Sequence, residues 1–506
     1  MTARVLMIQG TGSSVGKSIL VAALCRILRQ DGFSVTPYKS QNMSLNSYVT
    51  RDGGEMGRAQ VVQAEAAGIE PSVDMNPILL KPEADARSQV VLMGKPAKTV
   101  PASRYYRLTP DLLKAAEESL NRLRSKYDIV VIEGAGSPAE INLKRCEIVN
   151  MRIAKMANAP VLLVGDIDKG GVFAQLVGTL ALLDDDEKPY VKGFIINKFR
   201  GDVSLLKPGL DELESITSLP VVGVVPYYHD IFIDEEDSVR HDTPQSKSTD
   251  IDIAIVHFPH ISNSTDFEPL QRERGVTVRY IRHAKDIGRP DLIILPGSKS
   301  TISDLERVRS AGIADTIVRC ARSGVPVMGI CGGFQMLGKR IDDPLHTESG
   351  CESIDGLGLL DVITTFAKRK TTWQVRAVCN VNRGILGGLK NKEVEGYEIH
   401  MGQTIGDSVS PAFRIVSRGG RKSNHMDGAV NLDGSIVGTY IHGLFENVSV
   451  RRCLLSGLRR QKGIGSDTQT FTLSKDSEYD KLADHVRSSI DMDMVYKIAG
   501  IRRKVR

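Results

Sequence analysis

Short unbroken apolar runs alternate with helix-period stretches through the first 230 residues: Val5–Gln9, Val35–Tyr38, Ile129–Glu133, Val161–Asp166, Gly193–Asn197 and Val221–Val225, with a helix expected over Lys17–Gln30. Runs that are apolar at every position are suited to burial on both faces, which predicts a mostly parallel sheet with helices on each side. A second α/β rhythm runs through Ile251–Phe258, Leu292–Pro296, Val325–Cys331 and Ile436–His442. Between the two, residues 234–250 lose all apolar periodicity and read as a linker. After Glu446 the chain turns helical and charged, breaks near 461–475, and closes with an amphipathic stretch over Ser477–Ile498. The expectation is an α/β protein of two domains, 1–233 and 251–447, with a helical extension over 448–506.

Composition narrows the function classes. A chain of 506 residues is too long for one core, and 41% apolar with 25% charged residues is ordinary for a globular protein. The net charge of +5 is spread along the chain and aromatic residues are few, so neither a nucleic-acid surface nor a base-stacking platform is indicated. The basic end at 500–506 reads as a solvated tail. Seven scattered cysteines with no CxxC pair argue against a disulfide framework or a zinc site and fit a reducing compartment. No signal peptide and no apolar run of membrane-spanning length appear, so a cytoplasmic protein with no membrane partner is expected. The oligomeric state is left open.

Candidate chemistry begins at Gly10-Thr-Gly12-Ser-Ser-Val-Gly16-Lys17-Ser18, set between an expected strand and an expected helix. Glycines let backbone N–H groups close around phosphate oxygens, Lys17 supplies a cation, Ser18 a Mg²⁺ ligand, and the helix start a favourable dipole. Five residues rather than four separate Gly10 from the Gly16-Lys17 pair. The strand Ile129–Glu133 ends in a carboxylate followed by Gly-Ala-Gly, which places Glu133 at the sheet edge where ligands of open α/β folds bind and makes it a second Mg²⁺-ligand candidate.

The second half carries Val327-Met-Gly-Ile-Cys331-Gly332-Gly-Phe-Gln335, a cysteine on a strand-to-helix turn flanked by glycines. Such a turn exposes the sulfur as a nucleophile. His442, at the end of another apolar run, is the candidate base; His400 is the rival. Backbone N–H groups of Gly297 and Gly332 are candidates for an oxyanion hole.

These motifs carry resemblances. The longer loop, the Glu-Gly-Ala-Gly strand end and Lys39 resemble dethiobiotin synthetase, which implies that Lys39 touches phosphate or a substrate carboxylate and that Asn197 hydrogen-bonds adenine; on spacing alone Asn197 reads equally as a cap. The Cys331 and His442 motifs resemble the class I glutamine amidotransferases, in which the cysteine forms a glutamyl thioester and releases ammonia; Gln335 is then a glutamine-binding candidate. That class usually carries a Glu two residues after the His, where this chain has Leu444, so the third member is Glu398, Glu446 or none. Finally, Tyr38–Ser47, Gly54–Gln60, Asn76–Pro82 and Gly165–Gly171 are similar to the cobyric acid synthase family of cobalamin-pathway amidoligases over essentially the whole chain.

What that similarity implies is an enzyme using ATP, Mg²⁺ and glutamine to amidate the b, d, e and g carboxylates of adenosylcobyrinic acid a,c-diamide, with Lys39, Gln41, Asn42 and Arg58 lining a corrin groove. The alternatives are the a,c-diamide synthase of the same pathway, and a non-catalytic P-loop switch with a dead amidotransferase domain. The absence of a second lysine near the start of the loop speaks against the switch.

Overall fold

The structure, a computed structural model, describes residues 2–83, 87–101, 105–228, 230–233, 250–406, 409–465 and 474–502. The expected linker at 234–250 lies outside them except for Asp250, as does most of the basic end.

Six parallel strands form the first sheet, in the order Val221–Pro226, Val191–Phe199, Val161–Asp166, Arg4–Gly10, Ile129–Glu133, Val35–Tyr38. Alternate residues of the central strand serve different cores. Leu6 and Ile8 join the face packed by the helix Lys17–Gln30, whereas Val5 and Met7 join the face packed by Thr109–Lys126 and Met151–Ala157. Burial on both faces is why these strands are apolar at every position. Their carboxyl ends bring Gly10, Glu133, Asp166 and Asn197 to one edge.

The second six-stranded sheet has the order Val276–Ile281, Ile251–Val256, Leu292–Leu295, Val327–Ile330, Ile436–Thr439, Ala429–Val430, parallel except for the last pair. Two further sheets have no counterpart in the expected pattern. A seven-stranded sheet, largely antiparallel, occupies 340–442 around the long hairpin Ile363–Cys379 with Glu393–Ile405, and a four-stranded one is built from Gln41–Met43, Ile78–Glu83, Arg87–Leu92 and Lys95–Pro101.

The expected single strand Ile436–His442 is instead two. Ile436–Thr439 stays in the central sheet, and after Tyr440 the chain leaves it so that Ile441–His442 pairs antiparallel with Tyr397–Glu398. The helical extension is also divided. Val448–Gln461 buries Val450, Leu454 and Leu458 in the second core, while Lys475–Arg487 and Met492–Ala499 return to the first and bury Tyr479, Leu482, Val486 and Val495 beside the Lys17–Gln30 helix. Arg26 fixes that return through Asp476 at 2.8 Å and Asp480 at 2.7 Å.

At the edge strand Val221–Pro226, Gly223 bridges to Ile490, and a Cβ there would stand 2.4 Å from Ser489 O and 2.6 Å from Ile490 Cα. Both obstacles involve backbone. Gly223→Ala is therefore expected to cost about 1–3 kcal/mol by overpacking, read as a lowered denaturant midpoint with the slope kept.

Candidate functional site

Cys331 leaves the central strand Val327–Ile330 in a left-handed turn (φ 51°, ψ −109°) and begins the helix Gly332–Leu337. The turn is possible because a Cβ at Gly333 would lie 2.0 Å from Leu295 O, a space only glycine leaves open. The sulfur donates to Ile399 O at 3.5 Å and opens on a cavity of about 330 Å³, whose lining includes Gln335, Ser298, Glu348 and His400 from the second half and Lys81 and Arg87 from the first.

The change of sheet after Thr439 delivers His442 to this turn. The imidazole is fully buried and stacked on Tyr397, ring centroids 5.4 Å apart. Nδ1 lies 2.7 Å from Asp266 Oδ2, and the other carboxylate oxygen accepts from Gly443 N at 3.0 Å. Burial works against a charged imidazole, yet the Asp266 carboxylate outweighs it, and with the Cys331 sulfur raises the pKa from 6.5 to about 10. Nε2 has no conventional hydrogen bond among the described residues. The arrangement orients the ring through Nδ1 and leaves Nε2 to exchange a proton with the sulfur.

The expected third members are corrected here. Glu398 is held by Arg418 at 2.8 and 2.9 Å, and Glu446 by Arg58 at 2.7 Å and Lys475 at 3.2 Å; the carboxylate on His442 is Asp266. Leu444 is buried in the core. Asp266 sits in the short turn Ser264–Phe267, whose polar composition carries no signal of its partner. The rival base His400 places Nδ1 2.8 Å from Gly402 O and stacks on Tyr440. Gly297 faces His442, since its Cβ would come 3.1 Å from Cε1; Gly332 faces Ser298 N, which a Cβ would meet at 2.8 Å. Backbone amides of both segments thus adjoin the sulfur's turn. Gln335 is buried between Thr301 and Tyr440, at 3.3 Å from each.

In the first half the loop Gly10–Ser18 closes on itself. Gly10 tolerates no Cβ, which would lie 2.5 Å from Val15 Cγ2, while Gly12 has open space. Gly16 takes φ +96°. Lys17 Nζ reaches Gly12 O at 2.7 Å and Gly136 O at 3.2 Å, the reach of a lysine poised over a phosphate cradle. Glu133 gathers Ser18 Oγ at 2.7 Å and Lys39 Nζ at 2.9 Å on one oxygen, and Gln63 Nε2 at 2.5 Å and Gln60 Nε2 at 3.3 Å on the other. Burial opposes its charge, but Lys39, then Gln63 and Ser18, hold the carboxyl below the ordinary range. A hydroxyl and a carboxylate beside a phosphate loop are of the oxygen-donor kind that Mg²⁺ takes, and Ser18 and Glu133 could hold it.

From the strand Val191–Phe199, Asn197 donates to Val15 O at 2.8 Å and braces the phosphate loop, without capping the Lys17–Gln30 helix, which has no side-chain cap. Of the residues expected to line a corrin groove, three are buried and braced: Lys39 on Glu133, Asn42 on Gln60 at 3.1 Å, and Arg58 on Glu446 while lying over the Tyr48 ring. Gln41 is half-buried and bonded to the Tyr105 hydroxyl.

The halves meet along one seam. Glu55, fully buried, is shared by Lys81 of the first half and Lys370 of the second, the latter at 2.7 Å. Burial works against its charge, yet the two ammonium groups hold its carboxyl well below the usual range. Lys299 pairs with Glu83 across the same seam at 2.7 Å.

A phosphate-cradling α/β sheet joined to a Cys-His-Asp site on a strand-to-helix turn defines a nucleotide-dependent amidotransferase of two α/β domains. Residues 6–239 match the model of the CobQ/CobB/MinD/ParA nucleotide binding domain, and residues 252–450 that of the CobB/CobQ-like glutamine amidotransferase domain. The chain is 57% identical to a cobyric acid synthase of Dehalococcoides mccartyi (strain CBDB1), over 99% of this chain and 100% of that one. It is 53% identical to that of Thermoanaerobacter sp. (strain X514), over 97% and 98%, and 51% identical to that of Sorangium cellulosum (strain So ce56), over 100% of both. The chain belongs to the cobyric acid synthase family. No helix among the described residues is long and apolar enough to cross a membrane.

Asp266→Asn is expected to lower glutamine hydrolysis by about 10²–10⁴-fold, the range for a disabled acid–base group, whereas Glu398→Gln leaves it within a few-fold; glutamate release measures both. Because the His442 pKa is raised on folding, its stabilisation is whole below pH 6.5 and lost as the pH rises through about 10. The stability gap between the parent protein and Asp266→Asn should therefore be widest in acid and narrow towards pH 10 in denaturant titrations.

Proposed function

We propose that this chain amidates the b, d, e and g side-chain carboxylates of adenosylcobyrinic acid a,c-diamide, with ATP and glutamine, to give adenosylcobyric acid. The observation that carries the reading is full-length identity above 50% to cobyric acid synthases, in a chain whose phosphate loop and Cys331 turn share one molecule.

A carboxylate is a poor electrophile, so ATP first converts it to an acyl phosphate. Lys17 and the loop N–H groups hold the phosphates, Ser18 and Glu133 hold Mg²⁺, and Lys39 keeps Glu133 ionised in its buried setting. When bound, the cation neutralises phosphate charge. In the second half the Cys331 sulfur attacks the glutamine carboxamide carbon, with Gly297 and Gly332 supplying N–H groups to the oxyanion and Gln335 orienting the substrate. His442 takes the thiol proton at Nε2 and returns it to the departing ammonia, while Asp266 keeps Nδ1 protonated. Water then hydrolyses the thioester, and the ammonia displaces phosphate from the activated corrin side chain.

Cys331→Ser should abolish glutamine-driven amidation and spare amidation from added ammonia; equal loss of both refutes this division of labour. Lys17→Ala should remove both, whichever nitrogen donor is offered. Mass spectrometry of the corrinoid after incubation with ATP, Mg²⁺ and glutamine counts the amides added: four support the reading, and none rules it out.

A further inference from the structure

The cavity that opens at Cys331 is lined by charged side chains, and most of them already have partners. Lys81 and Lys370 share Glu55, and Lys299 pairs with Glu83 at 2.7 Å. The acidic side chains of the lining are Glu83 and Glu348. Glu83 is taken by Lys299, whereas Glu348 forms no ion pair with a lysine, arginine or histidine among the described residues; one of its oxygens accepts from Ile302 N at 3.0 Å.

The turn that carries Glu348 is built around Asp343, which is fully buried. One oxygen of that carboxylate accepts from Thr347 N and Thr347 Oγ1 at 2.8 Å each, and the other from Glu348 N and Ser349 N at 2.9 Å each. The backbone is thereby fixed on both sides of Glu348. Its carboxyl meets the start of the helix Thr301–Ser310 at Ile302 N. The adjacent Thr301 hydroxyl donates to Gln335 Oε1 at 3.3 Å, and Gln335 stands one helical turn after Cys331. A Cβ at Gly332 would lie 3.2 Å from the same hydroxyl. The carboxyl is therefore anchored one residue from the threonine that packs on the sulfur's own turn.

A glutamine in this cavity brings its carboxamide to the Cys331 sulfur and has an α-ammonium and an α-carboxylate at its far end. The ammonium only donates and is positive, so it calls for an acceptor of opposite charge with no cation already against it. Burial raises the Glu348 carboxyl to about 8, with the Ile302 N–H and the more distant Lys299 working the other way; an arriving ammonium favours the ionised form and offsets that burial. We propose that Glu348 is a specificity residue of the amidotransferase half: its carboxylate accepts from the α-ammonium of glutamine, so that the site selects an α-amino acid amide over a simple amide. The inference rests on the glutamine hydrolysis assigned above to Cys331 and adds the group that reads the other end of the substrate.

The test compares ammonia release by the full chain from glutamine and from glutaramate, the same amide without its α-amino group, with kcat and KM resolved for each. The parent protein should prefer glutamine in kcat/KM. In Glu348→Gln, whose amide oxygen still accepts from Ile302 N, that preference should fall by about 10- to 150-fold, the range for a hydrogen bond to a charged group, and KM for glutamine should carry most of the loss. A loss of equal size with both amides marks a carboxyl that only braces the helix start and overturns the proposal. So does a Glu348→Gln protein that keeps the parent's preference. A parent protein that releases ammonia from neither amide refutes the Cys331 reading, and the proposal with it.

Discussion

A fully buried imidazole has to be compensated, and the architecture of the second half is arranged around that need. The Asp266 carboxylate against Nδ1, together with the Cys331 sulfur, raises the His442 pKa to about 10 despite burial. Three separated parts of the chain must therefore converge: the turn Ser264–Phe267 for the carboxylate, the strand Val327–Ile330 for the sulfur, and the departure from the central sheet after Thr439 for the ring. Tyr397 closes the ring's open face, and Tyr48 of the first half packs on Tyr397 with centroids 5.6 Å apart. The acid–base site is completed by contacts from both halves.

The first half solves the same problem with the opposite charge. Glu133 is buried at the carboxyl edge of a parallel sheet and stays ionised because Lys39, Gln63, Gln60 and Ser18 all donate to it. The seam repeats the pattern once more, with Glu55 between Lys81 and Lys370. Removing one partner of such a buried pair typically costs about 3–5 kcal/mol, because an uncompensated charge is left behind. The two sites are thus joined by an interface that tolerates little slippage.

Much of this was legible before any coordinates. Unbroken apolar runs marked the central strands of both sheets because burial on two faces leaves no room for polar residues. The phosphate loop and the Cys331 turn announced themselves because each needs glycine at fixed offsets from one reactive side chain. Less was legible where spacing is set by other elements. Ile363–Cys379 mixes lysines and arginines with apolar residues, since much of it faces solvent, and so has no clean period. The partners of Lys39, Asn42 and Arg58 could not be read either, because Glu133, Gln60 and Glu446 lie 94, 18 and 388 positions away.

The sequence by itself determined the fold class, the phosphate loop and the glycine-flanked Cys331 turn, because each is encoded within short contiguous stretches by local backbone geometry. Only the tertiary structure decided that Asp266 orients His442, that the final helices return to the first core, and that Asn263 of the second half accepts from Ser47 N of the first. Those pairings join residues 176, roughly 450 and 216 positions apart, and at such separations the choice of partner depends on how whole sheets pack rather than on any local pattern.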